Sequence, residues 1–281
     1  MLPTALPHLD AREQPVRFED GVICRRVATP DEYEACVAMQ EEIWGPGFRE
    51  LVPSAILMVA QKMGGVCAGA FAADGRMLGF VFGITGVRNG ELAHWSDMLA
   101  VRREARGARI GERLKHYQRA LCVAVGARTM YWTFDPLVAR NAHLNIMRLG
   151  ARASEYVVNM YGTNTGSPLH GALDTDRWIA AWDLTSPPPP VRAASPGPDD
   201  GVFVVRPSGD GTAPWTDAFV DAPMVRVAIP PDHERLDMAQ RAAWRAATRQ
   251  ALVHYLGRGY DVVRFERARG DQPPFYALAS A

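Results

Sequence analysis

The sequence predicts an α/β protein in which a larger domain is followed by a smaller C-terminal lobe. Strand and helix signals alternate as far as residue 184, and a shorter series of the same kind begins at residue 202. Between them, the segment SPPPPVRAASPGPDDG contains four consecutive prolines, which fix φ and remove backbone donors. We therefore predict a leader over residues 1–21, a domain over 22–184, a proline-rich linker over 185–201 and a lobe over 202–281.

The composition narrows the function classes. There are 31 basic and 31 acidic residues, so no electrostatic argument favours a nucleic acid or a membrane surface as partner. No run approaches the ~18–20 apolar residues of a transmembrane helix, and the N-terminus lacks the pattern of a secretory signal. The four cysteines are widely spaced among apolar residues, without metal-ligand spacing. We expect a cytoplasmic protein with reduced, buried thiols and no bound metal.

The beginning of the larger domain predicts one strand and two helices. Residues 22–27 have the apolar content of a strand. Thr29 then offers an N-cap, Pro30 suits the first helical position, and the helix is expected to end at Trp44. A Gly-Pro-Gly sequence stops it, and a second short helix is predicted over residues 53–63.

The middle of the domain predicts an antiparallel meander of three strands. The strand candidates are residues 66–72, 77–84 and 91–101. They are separated by Asp-Gly at 74–75 and Asn-Gly at 89–90, both of which are strong tight-turn signals. A helix follows over residues 110–125, with apolar side chains at helical spacing on one face.

The rest of the chain predicts two further groups of elements. Residues 128–134, 156–161 and 178–184 are strand candidates, and a helix is expected over 138–149. The order of the larger domain is then β-α-α-β-β-β-α-β-α-β-β. After the linker we predict a β-β-α-β-β lobe, with strands at 202–205, 224–229, 260–265 and 275–279 and a helix over 235–256, in which Trp244 is a packing anchor.

Residues 99–114, LAVRREARGARIGERL, combine a strand end, a basic turn and a helix start. Backbone N–H groups at a helix start are unpaired and carry partial positive charge, so such a turn suits a pyrophosphate. Arginines at 102, 103, 106 and 109 add charge. Gly107 and Gly111 allow a ligand to approach the backbone closely.

This turn resembles the acyl-CoA signature of the GNAT N-acetyltransferase superfamily, Arg/Gln-x-x-Gly-x-Gly/Ala after an apolar-x-Val strand end. Residues 106–111, RGARIG, match it except that Arg109 replaces the first glycine. The predicted order of elements is also that of the superfamily, and further segments resemble a little-characterised bacterial group within it. These segments are 132–137 (WTFDPL), 140–145 (RNAHLN), 149–151 (LGA), 159–162 (NMYG) and 175–177 (TDR). The C-terminal lobe resembles a degenerate second half of the same fold.

The resemblance implies acetyl-CoA, or a related acyl-CoA, as co-substrate. The sheet is then expected to splay between the strands that end at Val101 and Phe134. The acyl group is expected beside Leu99 and Val101, and Asn141 is expected to contact the CoA arm unless it caps its helix. The residues implied for the pyrophosphate are Arg106, Gly107, Ala108, Arg109, Ile110 and Gly111.

Candidate catalytic groups follow from the resemblance together with strand alternation. Ile146 stands where many of these enzymes have a tyrosine acid, so we consider Tyr161 instead, with Tyr156 as a neighbour on the same predicted strand. Asp97 is the preferred base because it lies two residues before Leu99. Strict alternation places Asp97 on one strand face with Glu91, and places His94 with Ser96 on the other face.

Other polar residues leave two interpretations open. Thr133, Asp135 and Arg140 either shape an acceptor pocket, or Asp135 simply makes the Asp-Pro turn. Arg177 is expected at the surface. Arg245 and Arg249 either complete an acceptor cleft or anchor the C-terminal lobe.

The predicted function is acyl transfer from CoA to a small-molecule amine by direct attack. The alternative is a catalytically silent module that binds CoA or a nucleotide, or a non-binding interaction protein, which Arg109 and Ile146 would favour. The sequence does not identify the acyl acceptor. A homodimer is possible, but no sequence feature predicts one.

Overall fold

A computed structural model describes residues 14–163, 165–167, 173–187 and 201–280. Most of the predicted leader, residues 1–13, and most of the predicted linker, residues 188–200, lie outside the described residues. The described chain forms two compact units. The first contains residues up to Trp132 with 166–167 and 183–187, and the second contains Thr133–Thr165 with 173–182 and 201–280. The division into domains proposed from the sequence stays a prediction.

The first unit is built on a sheet in the order β1-β2-β3-β4-β5-β6. Neighbouring strands are antiparallel as far as β5, whereas β6 joins in parallel. The predicted meander is confirmed, and its second turn has positive φ at Asn89 and Gly90, as a tight hairpin requires. The strands are β1 Val16–Arg17, β2 Ile23–Arg26, β3 Val66–Phe71, β4 Met77–Arg88, β5 Glu91–Val101 and β6 Thr129–Phe134, whose last two residues belong to the second unit.

Helices cover both faces of this sheet. α1 (Pro30–Trp44) begins at the predicted cap, where Thr29 Oγ1 accepts from the N–H of Glu32 at 3.3 Å. α1 and α2 (Ser54–Lys62) pack on one face, in a core that includes Phe80 and Phe82. α3 (Ile110–Ala124) packs on the other face, which carries Gly79 and Gly83. All four cysteines are free and buried, as predicted.

A β-bulge interrupts β5 at Asp97. Ser96 pairs with Gly83 and Met98 pairs with Phe82, so one extra residue lies between consecutive pairs. Strict alternation therefore holds only as far as Ser96, because the bulge turns the following side chains over.

As a result, Leu99 and Val101 face α3. A Cβ built on Gly111 would lie 3.5 Å from Leu99 Cδ2 and 3.8 Å from Val101 Cγ2. His94 and Ser96, which precede the bulge, contact Gln118 of the same helix. The α3 face of β5 thus carries both the polar pair before the bulge and the apolar pair after it.

β5 and β6 are paired over only three residues. The pairs are Ala93 with Thr129, His94 with Met130 and Trp95 with Tyr131. From Ser96 and Trp132 onward no pairing joins these two strands in the part of the chain that the structure describes. Two parallel strands that part in this way form the splay that the sequence predicted.

In the second unit, α4 (Ala139–Ala142) continues into a π-helical segment, His143–Arg148, within the span of the predicted helix. β7 (Arg152–Val157) and β8 (Arg177–Asp183) are antiparallel. The strand predicted over residues 156–161 is wrong in position. The strand ends at Val157, and Asn159 takes positive φ while its N–H bonds to the Asp176 carboxylate at 3.0 Å.

The second unit also contains a five-stranded sheet in the order β10-β9-β11-β13-β12, in which only β9 and β11 are parallel. α5 (Met238–Leu256) starts later than predicted because Asp237 and Gln240 form a capping box. Trp244 is fully buried, as predicted. β10 was not predicted. The strands are β9 Val202–Pro207, β10 Pro214–Thr216, β11 Met224–Ala228, β12 Tyr260–Glu266 and β13 Phe275–Ser280.

Within the ranges described, no helix combines the length and the apolar character needed to cross a bilayer.

Candidate functional site

The turn between β5 and α3 presents an open helix start. A short 3₁₀ segment, Arg103–Ala105, follows the strand, and α3 begins at Ile110 with no side chain capping it. Arg109 occupies the N-cap in the left-handed conformation, with φ 56° and ψ 23°. This is the conformation for which a glycine would be favoured, so the replacement of the motif glycine by Arg109 changes the side chain but keeps a glycine-like backbone.

Three arginines on this turn are exposed and without partners. The guanidinium groups of Arg103, Arg106 and Arg109 make no hydrogen bond or ion pair with any residue that the structure describes. By contrast, Arg102 is bound to Glu42 and Arg113 to Asp20. The turn therefore carries three uncompensated positive charges beside a helix N-terminus, an arrangement suited to a diphosphate.

Asp97 is exposed on the bulge. Partial desolvation, and to a lesser degree the like charge of Glu50, raises the pKa of the Asp97 carboxyl, although a hydrogen bond with Trp95 opposes this. A carboxylate with a raised pKa is a better proton acceptor than an ordinary surface aspartate. Leu99 and Val101, which follow the bulge, form an apolar wall on the α3 face.

His94 is a buried histidine with both ring nitrogens bonded. Thr85 Oγ1 donates to the Gly64 carbonyl at 2.7 Å, so its oxygen is left to accept from Nδ1–H of His94 at 2.9 Å. Nε2 then accepts from the Gln118 amide at 3.0 Å. Burial, and to a lesser degree nearby Lys115, lowers the pKa of His94 to about 3. It is therefore neutral and held in one tautomer.

The same hydrogen-bond chain continues to Lys115, which sequence reasoning missed. Ser96 Oγ donates to Gln118 Oε1 and accepts from Lys115 Nζ, both at 2.8 Å. Lys115 Nζ also lies 3.8 Å from the centre of the Trp132 ring. Burial lowers the pKa of Lys115 well below its ordinary value. The available signal was a lysine within the apolar face of a helix that is otherwise rich in arginine.

The second unit contains a separate cluster of buried charges around Asp135. Its Oδ1 accepts from the N–H of Leu137 at 2.8 Å, which makes the Asp-Pro turn, and its Oδ2 accepts from Arg245 at 2.7 Å. Arg177 lies 3.7 Å away and is buried, so its predicted surface position is wrong. Burial alone would raise the pKa of Asp135, but Arg245 and Arg177 outweigh it and hold the pKa at about 2.

Tyr161 and Asn141 both lie in the second unit. Tyr161 is in the turn after β7, its hydroxyl 3.1 Å from Thr133 Oγ1, and the Arg177 guanidinium lies 5.5 Å above its ring. Asn141 is inside α4 and does not cap it, because that helix has no side-chain cap. Tyr156 is engaged with Asp176 at 2.6 Å, and its pKa is raised by burial and by that carboxylate. Tyr161 is thus less constrained than Tyr156.

No group of three or more His, Cys, Asp or Glu side chains in the described ranges is arranged to hold a metal ion.

The left-handed conformation of Arg109 predicts an unusual response to substitution. Left-handed backbone costs a non-glycine residue about 1–2 kcal/mol, whereas glycine loses about 0.5–1 kcal/mol through chain entropy. Arg109→Gly should therefore be more stable than Arg109→Ala by about 1 kcal/mol in urea unfolding. Alanine equal to or better than glycine would contradict the conformation.

The buried amine predicts a pH-dependent stability. Because the folded-state pKa of Lys115 is lowered, the unfolded chain binds more protons between that pKa and about 10.4, and stability rises with pH across this window by about 1.4 kcal/mol per unit. Lys115→Met should remove this slope and be more stable than wild type at pH 7, measured by urea unfolding at several pH values. Lys62→Met, at an exposed position, should keep the slope; a slope unchanged in Lys115→Met would contradict a neutral buried amine.

No protein-family model matches this sequence, and no curated protein is significantly similar to it. Several solved acetyltransferases are similar over part of the chain. An N-acetyltransferase from Staphylococcus aureus Mu50 is 17% identical with a TM-score of 0.46, over 58% of this chain and 98% of that one. A Salmonella typhimurium structure containing acetyl-CoA is 15% identical with a TM-score of 0.46, over 62% and 99%. Arabidopsis thaliana Naa50 is 13% identical with a TM-score of 0.46, over 57% and 97%. These matches agree with the predicted resemblance, but at such identities and scores they carry no argument about activity or substrate.

Proposed function

We propose that this protein transfers an acyl group from acetyl-CoA, or a related CoA thioester, to a small-molecule amine. The observation that carries the proposal is the turn after β5. It combines an uncapped helix start, three unpartnered arginines and a strand that parts from its neighbour. A strand with free edges can hold an extended amide-containing arm through its backbone, while the turn binds a diphosphate.

The residues of the turn divide the cofactor between them. The backbone N–H groups of Ile110 and Gly111 would donate hydrogen bonds to pyrophosphate oxygens. Arg106 and Arg109 would add charge-assisted hydrogen bonds to the same group. Gly107 and Ala108 present no bulky side chain there. Leu99 and Val101 would lie against the acyl end of the arm. Asn141 is proposed to contact the arm from α4.

The chemistry proposed is direct attack without a covalent enzyme intermediate. The acceptor nitrogen loses a proton to Asp97, directly or through water, and its lone pair attacks the thioester carbonyl carbon. The carbon–sulfur bond then breaks, and Tyr161 supplies a proton to the departing thiolate. The raised pKa of Asp97 supports the first role, and the half-buried Tyr161, whose hydroxyl lies 3.1 Å from Thr133 Oγ1, has the proton that the second role needs.

A silent CoA- or nucleotide-binding module is the second candidate. Ile146 is buried where the superfamily has its tyrosine acid, and Tyr156 is held by Asp176. Arg109 gives this alternative less support than the sequence suggested, because its backbone keeps the conformation that the motif requires.

Calorimetric titration of acetyl-CoA tests the cofactor site. Wild type should bind in the micromolar range, and Gly111→Trp should not bind, because a side chain at this position points towards Leu99 and Val101, where the acyl end of the arm is proposed to lie. Gly86→Ala, at an exposed position of β4 where an added Cβ meets nothing within 4 Å, serves as a folded control expected to bind. Binding that survives in Gly111→Trp would place the cofactor elsewhere.

Steady-state rates with an amine panel distinguish the enzyme from the silent module. Asp97→Asn should lower kcat/KM by about 10²–10⁴-fold while leaving acetyl-CoA affinity unchanged, because only the proton acceptor is lost. If the wild-type protein binds acetyl-CoA but releases no CoA thiol with any amine of the panel, the silent module is favoured. An Asp97→Asn variant with the wild-type rate would remove Asp97 from the mechanism.

A further inference from the structure

Lysine is rare in this chain. Of the 31 basic residues only two, Lys62 and Lys115, are lysines, and the rest are arginines. Lys62 is exposed at the end of α2, whereas Lys115 is 2% exposed. A lysine can lose its proton when buried and become a nucleophile, which an arginine cannot do. The buried member of the pair therefore has chemistry that no other cation of the chain offers.

The surroundings of Lys115 contain no acid. Its amine donates to Ser96 Oγ and touches Met130 Sδ at 3.8 Å, with the Trp132 ring on another side. The nearby titratable groups are His94, which is neutral, and the thiol of Cys122, whose pKa burial raises to about 12. No carboxylate forms an ion pair with Lys115 anywhere in the described chain. Burial without a carboxylate partner lowers the pKa of the Lys115 amine well below its ordinary value and favours the neutral form, whose nitrogen carries a lone pair.

The hydrogen-bond chain fixes how the amine is presented. The Ser96 hydroxyl donates its only proton to Gln118, and the Gln118 amide donates to His94. The Ser96 proton is therefore already used in a hydrogen bond. The Lys115 amine therefore donates a hydrogen bond to Ser96 Oγ, and it cannot accept one from Ser96. The lone pair must therefore point away from Ser96.

The position of the amine coincides with the parting of the strands. Two of its neighbours, Ser96 and Trp132, directly follow the last pair that joins β5 to β6, Trp95 with Tyr131. Leu99 and Val101 lie on the same face, a few residues further along β5. The amine thus lies where β5 and β6 part, on the face of β5 along which the proposed function places the acyl end of acyl-CoA.

We propose that Lys115 is a site of self-acylation by the bound acyl-CoA. This inference rests on the proposed function, since it needs the thioester to lie along β5. The Lys115 nitrogen attacks the thioester carbonyl and forms a carbon–nitrogen bond. The carbon–sulfur bond breaks, and the proton lost by nitrogen goes to the thiolate, so that an amide and free CoA thiol are formed.

The site suits the product as well as the reactant. The amide nitrogen keeps one N–H, which can still donate to Ser96 Oγ. The product is uncharged, as the neutral form of the amine is, so acylation adds no buried charge. The planar amide can stack on the Trp132 ring. Acylation would add bulk where β5 and β6 part and thereby slow later turnover.

Intact mass spectrometry of the full chain with acetyl-CoA, without added amine, tests the inference. Wild type and Lys62→Met should each gain one acetyl group and release one equivalent of CoA thiol, and peptide mapping should place the group on Lys115. Lys115→Met should gain none there. Its acetyl-CoA affinity by calorimetry, equal to that of wild type, shows that the variant is folded and loaded.

The unfavourable outcomes are distinct. Wild type that binds acetyl-CoA but is not acetylated at Lys115, or is acetylated only at Lys62 or the N-terminus, overturns self-acylation and leaves the proposed function standing. Wild type that does not bind acetyl-CoA removes the proposed function and this inference together.

Discussion

Three residue pairs hold β5 to β6, and this short parallel contact determines where the other groups of the first unit lie. Because pairing stops after Trp95 and Tyr131, the second half of β5 has one edge without a neighbouring β6 residue. Backbone donors and acceptors on such an edge must find other partners, since buried unpaired amides are costly. In the proposed function, an extended ligand with amide groups meets this need, and the turn that follows β5 holds its diphosphate.

The bulge at Asp97 changes which face of β5 the following side chains occupy. One extra residue places Leu99 and Val101 on the face where His94 and Ser96 already lie. That face is covered by α3, whose Lys115 is kept without a counterion. The amine donates to Ser96 Oγ, which is held in turn by Gln118, and these bonds offset part of the cost of burying it.

Local signals predicted local structure well. Thr29 and Asn89-Gly90 act through backbone chemistry that is contained within a few residues, and both features are confirmed. The bulge depends on pairing between β4 and β5, which no short pattern encodes, so strict alternation holds only as far as Ser96. Similarly, residues 158–161 have strand-like composition, yet the distant Asp176 draws the chain into a turn.

The site was predicted less completely than the fold. The turn at Arg106–Gly111 could be identified because its chemistry is carried by consecutive residues. The ion pair of Asp135 with Arg245 could not, because its members are 110 positions apart and their meeting depends on the tertiary structure. Lys115 was identifiable in principle, since a single lysine within an apolar helix face is unusual.

The two Asp–Arg contacts of α5 also impose an order on biosynthesis. Asp135 and Asp176 leave the ribosome well before Arg245 and Arg249, their partners within the second unit. At about 5–20 residues per second, the nascent chain carries the Asp135 carboxylate for on the order of 5–20 s before Arg245 is made. A pause in translation near the proline run would therefore lengthen the time in which those carboxylates stay solvated and the second unit unfinished.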